Sequence, residues 1–343
     1  LIRESLDIRR KVHGELHPDV ADSLEDLGLN LYDQGNYAES VDLLRQAVAI
    51  RRETQGDLHP DLAEAINNLA FVVSDAGTLE EAEALWREAL AMKNRLLGEE
   101  HPEVAISMIN VAYALYAQGN YDEAEVIYRD SIELQERVLG ETHPAVAETL
   151  QALAYLMYEK GDATAAIDLI RQSLDVKREV LGSDHPDVAS GLNAIAMWTM
   201  ESGDYDAAEP VLRESLDIRM RALGREHPST AGSLTLLAYC LIGKGDYEEA
   251  LSLSREAQSA YTAALPEGHW RTAVAVGAEG AALAGQRNFA EAEPLLLQSH
   301  KVLSEDPNAM SVFVTEANRR LASMYTEWGR DDLAAEYNSP RDE

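Results

Sequence analysis

Apolar residues recur along this chain at helical spacing, in two kinds of stretch that alternate. The stretch after Pro60 places apolar residues at the i, i+3, i+4 and i+7 positions of one helical face, at Ile66, Leu69, Ala70 and Val73. A second stretch, over residues 79–97, places Ala82, Trp86, Ala89 and Leu90 on one helical face, at i, i+4, i+7 and i+8. Each stretch is followed by glycine, Gly77 or Gly98, which permits a left-handed residue at a helix end. The pattern predicts a hairpin of two α-helices.

This hairpin pattern repeats every 42 residues. Proline suits the first turn of a helix, and a His-Pro pair marks the predicted start of each first helix, at His17-Pro18, His59-Pro60, His101-Pro102, His143-Pro144, His185-Pro186 and His227-Pro228. The next position in the series holds His269-Trp270. A glycine after the first helix keeps the same interval, at Gly35, Gly77, Gly119, Gly161, Gly203 and Gly245. Independent columns with one period predict a repeat array.

The period divides the chain into units. We predict that residues 1–14 are the second helix of a truncated unit, and that complete units follow at 15–56, 57–98, 99–140, 141–182, 183–224 and 225–266. A degenerate unit at 267–306, in which Gly277 and Gly280 are expected to interrupt the first helix, precedes a partial unit or C-terminal cap at 307–343. Its short last helix is expected to begin near Asp331 and to stop before Ser339-Pro340. Because the chain begins inside a helical pattern without Met, we expect it to be part of a longer polypeptide.

Small residues occupy the positions where the two helices of a hairpin must approach closely. On first helices they are Gly28, Ala70, Ala112, Ala154, Ala196 and Ala238, and on second helices Ala47, Ala89, Ser131, Ser173, Ser215 and Ala257. Bulky residues fill the adjoining column at Leu44, Trp86, Tyr128, Ile170 and Leu212. A single hairpin cannot bury such a face, so neighbouring units must stack.

These features carry a family resemblance. The small-residue columns, Gly119-Asn120-Tyr121 with Glu123-Ala124, and His101-Pro102-Glu103-Val104-Ala105 resemble the tetratricopeptide repeat, in the 42-residue variety of kinesin light chains and many bacterial proteins. The resemblance implies an all-α, right-handed superhelical solenoid of stacked helix-turn-helix repeats, with first helices lining its concave side. It also implies a protein-binding scaffold that is not an enzyme and needs no cofactor.

Helical phase then identifies the side of the first helices that faces away from the core. We predict there a partner-binding groove formed by Tyr32, Glu64, Asn67, Asn68, Phe71, Asp75, Asn110, Tyr113, Tyr116, Tyr155, Tyr158, Glu159, Asn193, Met197, Met200 and Tyr239. Contiguous apolar groups outside a core usually mark an interaction site, although lateral packing between first helices is an alternative use of the same rings. By resemblance, the asparagines would clamp the backbone of a bound peptide.

The charge of the chain narrows the class of partner. Against 61 Asp and Glu stand 29 Lys and Arg, a net charge of −32, which disfavours nucleic acid and anionic lipid. Groove-facing positions carry no Lys or Arg before Arg319 and Arg320, but they include Asp22, Glu25, Asp26, Asp33, Glu64, Asp75, Glu148, Glu159 and Glu201. We therefore expect a protein or peptide partner with basic and hydrophobic side chains, unlike the acidic segments bound by basic grooves of the same family.

Candidate chemistry is sparse. The repeated histidines should stand about 10 Å apart in stacked hairpins, too far to share a metal, so we interpret them as junction caps or packing residues. His13 and His300 are interpreted as isolated surface or boundary residues. Cys240 lies in an apolar column and is interpreted as a core residue. Arginines at Arg45, Arg87, Arg129, Arg171, Arg213 and Arg255 are expected to form surface i,i+4 ion pairs, with contact to a ligand as the alternative. We expect no catalytic, cofactor or metal site.

No apolar stretch of 18 residues and no signal peptide is visible, so we expect a cytoplasmic protein without membrane insertion. Two alternatives to the partner-binding scaffold stay open. One is a regulatory or sensor arm of a larger signalling protein, such as a kinase or a nucleotide-dependent switch. The other is a self-associating structural scaffold, and the oligomeric state is left undetermined.

Overall fold

The computed structural model describes residues 1–338, and these form seventeen α-helices and no strand. In chain order the helices are α1 (Ile2–His13), α2 (Pro18–Asp33), α3 (Tyr37–Gln55), α4 (Pro60–Asp75), α5 (Leu79–Leu97), α6 (Pro102–Ala117), α7 (Tyr121–Leu139), α8 (Pro144–Glu159), α9 (Ala163–Leu181), α10 (Pro186–Glu201), α11 (Tyr205–Leu223), α12 (Pro228–Lys244), α13 (Tyr247–Ala264), α14 (Trp270–Gly285), α15 (Phe289–Glu305), α16 (Ser311–Trp328) and α17 (Asp331–Asn338). The predicted all-α solenoid of repeated helical hairpins is confirmed. The chain divides into two compact units, unit 1 (Leu1–Val176) and unit 2 (Lys177–Glu343). The predicted stop before Ser339-Pro340 lies outside the described residues.

Histidine caps begin the first helices. In α6, Pro102 occupies the first turn and the backbone of His101 is extended, with φ −125° and ψ 140°. The N–H of Glu103 donates to Nδ1 of His101 at 3.2 Å, which satisfies one of the unpaired donors of the helix start. The same bond recurs at His17, His59, His143, His185, His227 and His269. The interpretation of this column as helix caps is confirmed, even where Trp270 replaces proline.

Replacing the His101 cap tests this role. We expect His101→Ala to lower the free energy of unfolding by about 1 kcal/mol, because the N–H of Glu103 loses its acceptor. His101→Asn keeps a side-chain oxygen that can accept the same bond, so it should cost only a few tenths of that amount. Urea unfolding followed by far-ultraviolet circular dichroism measures both variants. Equal losses of unfolding free energy in the two variants would show that His101 contributes through packing of its ring and not through capping.

Glycine ends the long second helices. Gly98 follows α5 with φ 85°, in the left-handed region that residues with a Cβ rarely adopt, and its N–H donates to the carbonyl of Asn94. The predicted second helix over residues 79–97 is confirmed by the bounds of α5. The chain then turns at once into the next His-Pro pair, which places the following first helix against the hairpin.

Close approach within a hairpin depends on the small-residue columns. Ala112 and Ala154 are fully buried on the first helices. On the second helices, the Ser131 hydroxyl donates to the carbonyl of Ala105 at 3.0 Å, and the Ser173 hydroxyl donates to that of Ala147 at 2.7 Å. Serine is therefore as suitable as alanine here, because its hydroxyl is both small and paired when buried.

Two glycines in unit 2 behave differently from our expectation. Gly277 and Gly280 do not interrupt a helix, since α14 runs without a break from Trp270 to Gly285. Both are buried against α15, where a Cβ on Gly280 would lie 2.8 Å from Cγ of Leu296. They are contact glycines that let two helix backbones approach, so the prediction of a break was wrong.

The single cysteine of the chain lies in the core of unit 2. Cys240 on α12 is fully buried, and its thiol donates to the carbonyl of Tyr205 at 3.3 Å. Burial raises the pKa of the Cys240 thiol to about 11, with a further contribution from the charge of Glu209. The interpretation of Cys240 as a core residue is confirmed.

Candidate partner-binding surfaces

Aromatic side chains of four first helices form a surface on unit 1. This tyrosine surface consists of Tyr32 on α2, Phe71 on α4, Tyr113 and Tyr116 on α6, and Tyr155 and Tyr158 on α8. Phe71, Tyr113 and Tyr155 keep 47%, 46% and 43% of their area exposed, whereas Tyr32, Tyr116 and Tyr158 are half-buried. The first helices bury their aliphatic face in the core, so helical phase turns these rings to the opposite side.

Packing between neighbouring helices uses part of the same rings. The Tyr32 and Phe71 centroids lie 5.4 Å apart in an edge-on contact, and Tyr113 meets the buried Trp86 edge-on at 6.3 Å. Lateral packing therefore orients the rings, but it leaves more than two fifths of Phe71, Tyr113 and Tyr155 in solvent. The surface is held in place and still available for contact.

Carboxylates border the tyrosine surface. The Tyr32 hydroxyl donates to Oδ2 of Asp75 at 2.5 Å, and this bond raises the pKa of Tyr32 to about 12. Burial, followed by the charge of Glu159, raises the pKa of Tyr116. Glu64, Asp75 and Glu159 are all exposed, as predicted for groove residues. Each favours a cation over an anion beside the rings.

The predicted asparagines divide into two groups. Asn110 donates through Nδ2 to Oδ1 of Asn67 at 2.9 Å, so the two side chains bridge α6 and α4, and Asn68 is half-buried beside them. Asn193 is instead buried in unit 2 and donates to the Ser233 hydroxyl at 3.2 Å. Its predicted place on an exposed surface was wrong, because the equivalent first-helix position in α10 packs against α12.

A column of second-helix positions escaped our sequence analysis: it holds a cation in five of six repeats, and two of these cations are buried. Arg51 near the end of α3 keeps only 7% of its side chain exposed, and it donates to Oε1 of Glu25 at 2.5 Å. It also donates to Oδ1 of Asp22 at 2.8 Å and to Oδ2 of Asp61 at 3.2 Å. Asp22 and Glu25, two of the acids that we counted toward the negative groove, are therefore paired with a cation of the second helix α3.

Burial and pairing act together on this network. Burial is the largest influence on both groups: it raises the pKa of Glu25, and it works against the charged form of Arg51. The bond and charge of Glu25, with Asp22 and Asp61, outweigh burial and raise the pKa of Arg51. The network thus stabilises the charged guanidinium of Arg51 inside unit 1, while the charged form of Glu25 stays less favourable there than in water.

The cation column could have been recognised from the sequence, because its positions recur every 42 residues. Lys93 takes the place of Arg51 in the next unit, with Nζ lying 3.3 Å from Oε2 of Glu103 and 3.9 Å from Oε2 of Glu64. The full column is Arg9, Arg51, Lys93, Gln135, Lys177 and Arg219. A search for cations at the repeat period would have found it.

Three predicted residues of unit 2 line a pocket of about 640 Å³ between first helices. Met197 is exposed, while Met200 and Tyr239 are half-buried. The Tyr239 hydroxyl donates to the carbonyl of Val274, and the Arg320 guanidinium lies 3.9 Å from the ring centroid. Arg319 and Arg320 both pair with Glu316, so these cations face the pocket already neutralised in part.

The arginine ladder forms the expected ion pairs and further ones. Arg87 and Arg213 pair with Glu83 and Glu209 at i,i+4, as predicted. Arg87 also reaches Glu123 at 2.6 Å, on the second helix of the next repeat. Equivalent bonds across 36 residues join Arg45 to Glu81 and Arg213 to Glu249. These pairs connect successive second helices.

One histidine has neighbours that we did not expect. His13 ends α1 and its ring stacks on His17 with centroids 4.3 Å apart, so its interpretation as an isolated residue was wrong. Nε2 of His13 also lies 3.4 Å from Oδ2 of Asp19, and the three donor groups lie within 4.8 Å of one another. Nδ1 of His17 already accepts from the N–H of Asp19 as the cap of α2.

The helices of residues 1–338 are too short or too polar for any of them to traverse a bilayer.

Comparisons with known proteins agree with this geometry. A family model for the tetratricopeptide repeat matches residues 1–53, 61–136, 107–179, 154–219 and 187–263. The TPR-like repeats of a kinesin light chain from Podosopora anserina are 25% identical, with a TM-score of 0.54, over 60% of this chain and 97% of that chain. Among curated proteins, the sequence has no match.

Two further solved structures are similar in fold. BtubC from P. vanneervenii is 19% identical with a TM-score of 0.57, over 68% of this chain and 95% of that chain. A signal transduction ATPase from Pyrococcus horikoshii, with a tetratricopeptide repeat sensor, is 16% identical with a TM-score of 0.61, over 98% of this chain and 51% of that chain. At these identities the likeness concerns the fold alone.

Proposed function

Because the chain belongs to the tetratricopeptide repeat family, whose members bind proteins or peptides, we propose that the tyrosine surface of unit 1 binds a partner segment. The segment we infer is extended or helical and carries basic and apolar side chains. One observation carries the proposal: Phe71, Tyr113 and Tyr155 are more than two fifths exposed on successive first helices, with carboxylates beside them. The proposed role is one of binding, not of catalysis.

Physical chemistry supports this choice of partner. When a partner covers large exposed rings, apolar area is removed from water, and this favours binding. Tyrosine adds a hydroxyl that can donate or accept a hydrogen bond. The rings are already oriented by their neighbours, so little side-chain entropy is lost on binding. Asp75 and Glu159 would attract Lys or Arg of the partner and repel an acidic segment.

A double variant tests the proposal. We expect Tyr113→Ala/Tyr155→Ala to weaken partner capture from cell lysate at least tenfold, because two exposed anchors of the surface are removed. Overlapping peptides of each protein lost in this way would then be titrated against the wild type. The peptides that bind should carry more Lys and Arg than Asp and Glu, and their affinity should fall as salt is added.

A matched control separates the surface from the rest of the chain. Leu97 and Val126 are exposed apolar residues of the second helices, so Leu97→Ala/Val126→Ala should leave capture unchanged. Equal recovery of every partner by the tyrosine variant and the wild type would remove the proposed function. Binding confined to acidic peptides would keep the surface but contradict the partner chemistry.

A further inference from the structure

One member of the cation column has surroundings that differ from those of Arg51 and Lys93. Arg219 on α11 takes the position in unit 2 that Arg51 takes in unit 1, four periods earlier. The three carboxylates that hold Arg51 are replaced at the same interval by neutral side chains: Asp22 by Ser190, Glu25 by Asn193, and Asp61 by Ser229. The cation has been kept and its counter-ions have been lost.

Neutral oxygens surround Arg219 in place of these carboxylates. Nη1 donates to the carbonyl of Ser229 at 2.7 Å and to the Ser233 hydroxyl at 3.0 Å, and Nη2 donates to the Ser190 hydroxyl at 3.1 Å. Its Nε is buried without an acceptor, and across residues 1–338 no carboxylate forms an ion pair with this guanidinium. A half-buried charge without a counter-ion carries a desolvation cost that no ion pair offsets.

Gly232 brings no side chain to this guanidinium. The position equivalent to Ser190 in the next repeat is Gly232, and a Cβ there would lie 3.4 Å from the Tyr261 hydroxyl and 3.8 Å from Nη1 of Arg219. The hydroxyl and the guanidinium thus converge on a place that Gly232 leaves without a side chain. Ser190 is exposed, which gives access from solvent.

The direction of the pKa shift agrees with this difference. Burial lowers the pKa of Arg219, whereas the carboxylates around Arg51 raise the pKa of that residue. An arginine guanidinium is basic enough to remain charged at neutral pH in spite of this shift. A stable positive charge with an unused N–H and two neighbouring hydroxyls is a receptor for an anion.

We propose that Arg219, with Ser190 and Tyr261, binds a carboxylate supplied by a partner protein. The repeats of this chain favour a carboxylate over other anions, because Asp22, Glu25 and Asp61 occupy the equivalent place around Arg51. The planar guanidinium fork matches the two oxygens of a carboxylate. This site is distinct from the tyrosine surface, and its test does not need the partner of that surface.

The test titrates the full chain with short peptides that carry one carboxylate. Acetyl-Gly-Asp-Gly-amide offers a side-chain carboxylate, acetyl-Gly-Gly-Gly offers a terminal one, and acetyl-Gly-Asn-Gly-amide is the neutral control. The Nε–H resonance of Arg219 is the reporter, assigned by its loss in Arg219→Met. We expect one or both acidic peptides to move it with saturation, and the tighter of the two identifies the source of the carboxylate.

Two controls make the result decisive. Ser190→Asp supplies a carboxylate from the chain itself, as Asp22 does for Arg51, so it should weaken peptide binding at least tenfold while the helical circular dichroism stays unchanged. Nε of Arg213 already donates to Glu209, so its resonance should not move. The proposal is overturned if neither acidic peptide shifts the Nε–H resonance of Arg219, or if inorganic phosphate shifts it and the peptides do not. An equal shift of the Arg213 resonance would also overturn it.

Discussion

Replacing Arg51 by methionine is expected to lower the free energy of unfolding of unit 1 by about 3 kcal/mol. Among residues 1–338, the guanidinium is the only cation bonded to Glu25, whose side chain is 13% exposed, so its removal leaves a carboxylate in the interior without a partner. Asp22 and Asp61 lose a bond as well, but both reach water. Urea unfolding followed by far-ultraviolet circular dichroism measures the effect.

The adjacent arginine provides a control of the same residue type. Arg52 points outward, about half exposed, and pairs with Glu88 at 2.5 Å on the surface. We expect Arg52→Met to cost less than about 1 kcal/mol, because exposed pairs gain little over hydrated ions. A second control, Arg51→Met/Glu25→Leu, removes the stranded carboxylate and should recover at least half of the loss. Equal costs for Arg51→Met and Arg52→Met would contradict the buried network.

The same variant should show a dependence on pH with a defined sign. Burial raises the pKa of Glu25 above its ordinary value of 4.5, so the folded chain binds the proton more tightly than the unfolded chain. The stability that Glu25 contributes is complete below pH 4.5 and is lost as the pH rises through the folded value. Without Arg51 that raised pKa should move higher still. The deficit of Arg51→Met should therefore grow from pH 4.5 toward neutrality.

Replacing Gly280 by leucine is expected to destabilise unit 2 by about 3 kcal/mol, the upper part of the range for overpacking. A Cβ at this position meets Leu296 at 2.8 Å and Cβ of Leu295 at 3.2 Å, so α14 and α15 would have to move apart. Gly280→Ala is the sharper variant. Alanine normally stabilises a helix interior by about 1 kcal/mol relative to glycine, but here we expect a loss.

Gly232 provides a matched control for Gly280→Ala, because an added Cβ there makes only ordinary contacts. It lies inside α12, and a Cβ there meets no atom closer than 3.4 Å, which is ordinary contact. Gly232→Ala should therefore raise the free energy of unfolding by about 0.5–1 kcal/mol. Circular dichroism in urea compares both substitutions. If Gly280→Ala stabilised the chain as Gly232→Ala does, the close contact of α14 with α15 would be wrong.

The elements of this fold could be predicted because each is specified locally and then repeated. The His-Pro start, the glycine end and the apolar stripe lie within one unit, so the bounds of α5 and the histidine caps followed from the sequence. Gly277 and Gly280 were misjudged because helix propensity is a local property. Their burial depends on a helix that lies some twenty residues further along the chain.

Side-chain pairing was less accessible from the sequence. Helical phase predicted that Phe71, Tyr113 and Tyr155 face away from the core, and their exposure agrees. It could not predict that Asn110 bonds to Asn67, or that Asn193 is buried, because those outcomes depend on the separation of adjacent first helices. The cation column was missed for another reason: the charge of the groove was predicted from first-helix residues alone, and Arg51 reaches the same acids from a second helix.

Because Cys240 is the single cysteine of the chain, the reactivity of its thiol reports local opening of the helices around it. A cysteine without solvent contact, with a pKa near 11, is inert toward maleimide or disulfide reagents until the surrounding helices separate. The modification rate in native buffer, divided by the rate for an exposed thiol, gives the fraction of time that this part of the solenoid is open. Because the reagent can act at no other position in the sequence, that local equilibrium is measured without engineering any label into the chain.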